Sequence, residues 1–228
     1  DFISNTFGWI YMLAMTGFVI FAIFLIISPY GKIRLGRQDE KPQYTLFTWF
    51  SFLFTAGMGV GLVFFGVTEP LTHYYSPPTV EGELVAAQQE ALQYTLFHWG
   101  LHPWAVYAVV GLALAYFNFR HKAPLLMSSS LVPLIGDRAN GWMGKSVDVL
   151  AVFGTIFGIA TSLGLGATQV SAGLSYSFDF IENNIITQMI VVILIKLAFV
   201  ASAATGLNKG IRYLSIGNVI MAIALMLF

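Results

Sequence analysis

The chain has 228 residues, of which 57% are hydrophobic and 10% charged; eleven basic residues balance eleven acidic ones, and cysteine is absent. With no net positive charge and no basic surface interleaved with aromatics, a nucleic-acid partner has no support, and the lack of cysteine excludes disulfide and thiol chemistry. Its charges fall in clusters between long uncharged runs, the pattern of an all-α integral membrane protein.

Six apolar stretches are predicted to lie in the lipid bilayer, at 7–30, 46–75, 91–119, 147–177, 184–205 and 211–228. The well-bounded ones reach the roughly 20 residues that a helix needs to cross hydrocarbon. The first is too long, and lacks the preceding basic residues, to be a signal peptide.

The second stretch carries no charge between Lys41 and Glu69 and contains Thr55-Ala-Gly-Met-Gly-Val-Gly61. Gly57, Gly59 and Gly61 invite the helix to unwind at mid-membrane. Backbone groups freed there must be buried in protein or line a polar cavity, because each unmet group in lipid costs several kcal/mol; transporters build their substrate and ion sites this way. The competing reading is a small-residue face, Gly57-x-x-x-Gly61, for close helix packing. Phe64 and Phe65 follow as a candidate gate, with lipid or core packing as the alternative. Glu69 and Pro70 are expected to close the helix at the outer face, where Glu69 either attracts cations or marks the interface.

In the third stretch, His98-Trp-Gly-Leu-His-Pro-Trp-Ala-Val-Tyr107 gathers large π-faces. At about 100° per residue, Trp104 and Tyr107 lie about 60° apart and Trp99 about 80° beyond Tyr107, so a continuous helix puts all three on one side. Pro103 removes the hydrogen bond to the carbonyl of Trp99 and is expected to kink the helix there. Such a wall suits a cation that cannot donate hydrogen bonds, such as a quaternary ammonium; an interfacial aromatic belt is the alternative. His98 and His102, at i and i+4, have no third metal ligand in reach. Lacking any other constellation at depth, the chain is not expected to be an enzyme.

Residues 123–145, with Pro124 and Pro133, are too short and polar to span and are predicted to form a cytoplasmic interfacial excursion. Lys196, about twelve residues into the fifth helix, is an intramembrane cation and so a functional candidate by default; a structural role with a partner outside this chain is the leading reading. The other ten basic residues fall in odd-numbered loops, which places the first residues outside and the odd loops in the cytoplasm. Starting at Asp1 without methionine and stopping at Phe228 inside an apolar run, the chain is expected to be a fragment.

Lys32-Ile-Arg-Leu-Gly36, Ala56-Gly-Met-Gly-Val-Gly-Leu-Val-Phe-Phe-Gly-Val-Thr-Glu-Pro70, the His98–Tyr107 motif and Ser162-Leu-Gly-Leu-Gly166 occur in this order. Together they resemble the betaine/choline/carnitine transporter family over nearly the whole chain. The resemblance implies a LeuT-like core of two inverted five-helix repeats, preceded by two peripheral helices and assembled as a homotrimer in the cell membrane. On that template 1–45 holds one peripheral helix and a cytoplasmic loop, and 46–228 most of the first repeat.

The same resemblance assigns Trp99, Trp104 and Tyr107 to half of an aromatic box around a trimethylammonium group, and Gly57, Met58, Gly59 and Gly61 to the unwound segment beside the substrate. Gly61 stands where proton-linked choline carriers of the family tend to have Asp, which favours glycine betaine or a related compatible solute. No cofactor is implied beyond sodium as the coupling ion. Thr155 matches the first of two threonines that help hold sodium, together with Met58, but Ile159 stands at the second. Proton-coupled or exchange transport of choline, carnitine or ectoine, and a membrane solute sensor that does not transport, are the alternatives.

Overall fold

The structure is a computed structural model that describes residues 2–79 and 84–227. Its elements in chain order are α1 (Phe2–Ile27), α2 (Leu46–Gly57), α3 (Val60–Tyr75), α4 (Leu84–His98), α5 (Leu101–Ala115), α6 (Val132–Ile135), α7 (Trp142–Ser177), α8 (Ile185–Thr205) and α9 (Arg212–Leu227). Five helical stretches are long and apolar enough to cross a membrane: Asn5–Ile27, Val85–Arg120, Trp142–Ser177, Ile185–Thr205 and Leu207–Leu227. The sixth expected stretch, 46–75, is helical too but divided into α2 and α3, each below that length. Large apolar side chains such as Ile26 and Leu194 stand outward, while buried positions are mostly small, among them Ala91, Ala105 and Ala167. Lipid as solvent explains this arrangement, since burial of large apolar groups no longer drives packing and small residues let helices approach.

The chain forms two compact units. One comprises Asp1–Glu40 and Glu69–Gly154. In it α1 packs along α5, with the Thr16 hydroxyl 3.4 Å from His102 Nε2. Helix α4 starts at Leu84, well before the expected residue 91. Ala86, Ala87, Gln88, Gln89 and Glu90 are good helix formers without being a hydrophobic run, so hydropathy conceals them. The buried Glu90 carboxylate also accepts from the amide and the hydroxyl of Thr79, at 2.9 and 2.5 Å.

Residues 123–141 do not span. They form a 3-10 turn at Met127–Leu131, the single turn α6 and a second 3-10 turn at Gly136–Asn140. Both the amide and the hydroxyl of buried Ser128 donate to the Asp148 carboxylate on α7, at 2.9 and 2.7 Å. Helix α7 consequently begins at Trp142 rather than 147.

The other unit comprises Lys41–Thr68 and Thr155–Phe228. Here α2 packs along α9 through Thr48, Ser51, Ser215 and Val219, all nearly inaccessible. Ser51 returns its hydroxyl to the Phe47 carbonyl at 2.8 Å, so a small polar residue sits at the contact with its donor satisfied. Thr45 caps α2 by accepting from the Thr48 amide. Tyr44 Oη donates to Asn208 Oδ1 at 2.9 Å, joining the approach to α2 with the turn before α9. Asn184 caps α8 in the same manner, and Gly206, with φ of 77°, ends it. Lys196 is exposed on α8.

Asp148→Ala is expected to leave two buried donors of Ser128 unpaired, costing about 1–3 kcal/mol. Thermal unfolding in detergent should then fall by several degrees, and an unchanged midpoint would show that the Ser128 contact contributes no stability.

Candidate functional site

Helix α2 stops at Gly57 and α3 starts at Val60. Met58 takes φ −93° and ψ 78°, outside the helical region, while its amide still donates to the Phe54 carbonyl at 2.7 Å. Across the gap, the Val63 amide stands 3.5 Å from the Gly59 carbonyl. The C-terminal carbonyls of one helix and the N-terminal amides of the next therefore meet at a two-residue interruption. A Cβ built at Gly59 or Gly61 would have no neighbour within 4 Å among the described residues. Among the described residues no close helix contact explains either glycine. Phe64 and Phe65 follow in α3, both half-buried, with ring centroids 5.1 Å apart at 80°.

A second interruption separates α4 from α5. His98 ends α4, Leu101 begins α5, and Trp99 and Gly100 form the turn between them. Gly100 is required by close approach, because a Cβ there would lie 2.7 Å from the Leu96 carbonyl oxygen. Pro103 has no amide hydrogen to offer the Trp99 carbonyl, which is its i−4 partner. The indole N–H of Trp104 fills that role, donating to Trp99 O at 3.0 Å.

The helix breaks within the aromatic motif, as Pro103 leads one to expect, but the break changes how Trp99 is placed. The break lies at Trp99–Gly100, one turn ahead of Pro103, so the continuous-helix arithmetic does not place Trp99 relative to Tyr107. Trp104 and Tyr107 share α5, and their rings lie 6.0 Å apart at 36°. Trp104 is half-buried and Tyr107 is 71% exposed. Half-buried Trp99 is instead oriented by Glu69.

Glu69 is the residue whose place the sequence misjudged. It does not close a helix: α3 continues through Pro70 to Tyr75. Nor does it face solvent, being 8% exposed. Its carboxylate accepts from Trp99 Nε1 at 2.8 Å and from His98 Nδ1 at 2.7 Å, with His73 Nε2 3.6 Å away. A lone acid ending a long uncharged run was the available signal, because such a group in an apolar helix needs partners. His98 and His102 turn to different partners, Glu69 and Thr16.

Thr155 and Ile159 lie one turn apart on exposed parts of the uninterrupted α7. Thr161 returns its hydroxyl to the Phe157 carbonyl at 2.9 Å.

Apolar helices of spanning length, with one helix interrupted at paired glycines and another at an aromatic turn, define a multi-pass membrane protein. The model of the betaine/carnitine/choline family transporters matches residues 1–228, and the chain belongs to that family, one of transporters rather than enzymes. Over all 228 residues it is 54% identical to the glycine betaine transporter OpuD of Bacillus subtilis, covering 44% of that protein. It is 45% identical over 228 residues to a glycine betaine transporter of Acinetobacter baylyi, covering 34% of it. With the osmo-dependent choline transporter BetT2 of the same organism it shares 44% identity over 228 residues, covering 33%. The chain thus spans less than half the length of these relatives.

Gly100→Ala is expected to lower the melting temperature by several degrees, since the Leu96 carbonyl must move to admit a methyl group. Gly111→Ala, where a Cβ meets nothing within 4 Å, is the control and should be neutral or slightly stabilising. Equal behaviour of the two variants would contradict the close approach at the α4–α5 turn.

Proposed function

We propose that the protein carrying this chain is a secondary transporter that imports a quaternary-ammonium solute, glycine betaine foremost. The observation that carries the reading is the pair of interrupted helices, one of them holding Trp99 and Trp104 at its turn. In this reading Trp99, Trp104 and Tyr107 receive the trimethylammonium group, whose diffuse charge is drawn to π-faces by about 2 kcal/mol or more once water is excluded. The backbone at Gly57, Met58, Gly59 and Gly61 is the other candidate substrate contact; the first amides of α3, near Gly61, favour negative charge, whereas the last carbonyls of α2, near Gly57, favour positive charge. Phe64 and Phe65 gate the path.

A second reading, choline transport, is favoured by one observation: the choline transporter BetT2, at 44% identity, is nearly as similar as the glycine betaine transporter of Acinetobacter baylyi, at 45%. Gly61 weighs against it. A glycine there adds no charge, which suits a zwitterion that brings its own carboxylate.

Sodium is the proposed coupling ion and a co-substrate. The Thr155 hydroxyl and the Met58 carbonyl are its candidate ligands here, and Ile159 offers no side-chain oxygen to join them. Import follows by alternating access, in which one repeat rocks against the other. Residues 1–45 act as a peripheral helix and loop, and 46–228 as most of the first repeat. The first residues face outside, the basic loops face the cytoplasm of the cell membrane, and the whole protein forms a homotrimer.

Trp104→Ala in the full protein is expected to weaken betaine affinity by about 1–2 kcal/mol, or roughly 5- to 30-fold, while replacing sodium by potassium weakens binding in the wild type. Titration of purified protein checks both. Unchanged affinity in the variant would remove the aromatic wall from the site, and indifference to sodium would remove the coupling ion.

A further inference from the structure

A carboxylate buried in an apolar helix costs several kcal/mol unless it is hydrogen-bonded or paired. Glu69 meets that requirement through His98 and Trp99, at the turn where α4 gives way to α5. Trp99 lies in the turn between α4 and α5, where its amide still donates to the Thr95 carbonyl at 3.0 Å but its own carbonyl gets no amide from Pro103. Two side-chain bonds hold it: its indole N–H donates to Glu69 at 2.8 Å, and its carbonyl accepts from the Trp104 indole at 3.0 Å. His98, the neighbour of Trp99, donates to the other carboxylate oxygen at 2.7 Å. The acceptor on α3 therefore fixes both the tilt of the Trp99 ring and the end of α4 from which it projects.

We propose that Glu69 is a positioning residue for the quaternary-ammonium site, holding the Trp99 indole so that its face, rather than its polar edge, is presented to the solute. The inference rests on the assignment of Trp99 and Trp104 to that site. Cation attraction to an indole depends on approach to the ring face. A ring held before the solute arrives avoids the ordering cost of an unrestrained side chain. Glu69 touches the indole and not the solute, so its removal should appear in substrate affinity rather than in the rate of the loaded transport cycle.

The test uses the full protein in proteoliposomes with labelled glycine betaine. Glu69→Leu removes the acceptor and is expected to raise the betaine KM about tenfold while leaving kcat within about twofold, whereas Glu69→Gln, which keeps one acceptor oxygen, stays within about threefold of wild type. Trp99→Phe keeps a ring and loses the N–H; because it bypasses the contact, adding Glu69→Ala, which alone should raise KM as Glu69→Leu does, should change KM no further. This pair keeps the test open should Glu69→Leu fail to fold. Ultraviolet resonance Raman difference spectra, wild type minus Trp99→Phe, report the indole hydrogen bond directly, and Glu69→Leu is expected to shift that band to its weakly bonded position.

A Glu69→Leu protein with lower stability but unchanged KM would overturn the proposal and leave Glu69 as a brace between α3 and α4. Additive effects of Glu69→Ala and Trp99→Phe would overturn it too. If the wild type ignores betaine, the substrate assignment fails, and with it the role at this site; the Raman band then still decides whether Glu69 holds the Trp99 ring.

Discussion

In hydrocarbon no water is present to satisfy a free amide or carbonyl, so each place where a helix is interrupted must be provided for by the protein itself. The family chain described here interrupts two of its helices, at Met58–Gly59 and at Trp99–Gly100. Much of its local chemistry answers that requirement. The first interruption retains a bond from the Met58 amide to Phe54 and brings oppositely polarised helix ends together. At the second, the carbonyl that Pro103 orphans is taken by the Trp104 indole, and the Trp99 indole is taken by Glu69. Polar edges of aromatic side chains are thus used to repair backbone, which leaves their faces for other contacts.

Small residues carry the packing around these interruptions. Thr48, Ser51 and Ser215 are buried on the packed pair α2 and α9, where the Ser51 hydroxyl returns to the Phe47 carbonyl and the Thr48 hydroxyl pairs with that of Thr45. Asp148 holds the non-spanning segment through Ser128. Large apolar residues contribute little to burial, because most of them face outward. Stability in such a chain comes from close approach and satisfied polar groups rather than from a thick core.

Much of this could be read in the residues. The triple glycine predicted the first interruption in its place, and the long apolar runs and clustered charges predicted helices throughout. Pro103 predicted disorder of the backbone ladder near Trp99, but propensity cannot say which residue yields; the contact of Gly100 with Leu96 decides it in three dimensions. The start of α4 was hidden because Ala and Gln make helix without adding hydropathy. Glu69 was misjudged for a different reason. A sequence shows that an acid is present, but its donors, Trp99 and His98, lie about thirty residues away along the chain.

The central claim is that these interruptions serve a quaternary-ammonium solute. Its most direct test is uptake of labelled glycine betaine by cells expressing the full protein that carries this chain, with unlabelled choline and carnitine as competitors. Saturable betaine uptake that choline and carnitine inhibit only weakly is the predicted result. Absence of betaine uptake by well-expressed protein, or preferential transport of choline, would contradict the account and the weight placed on Gly61.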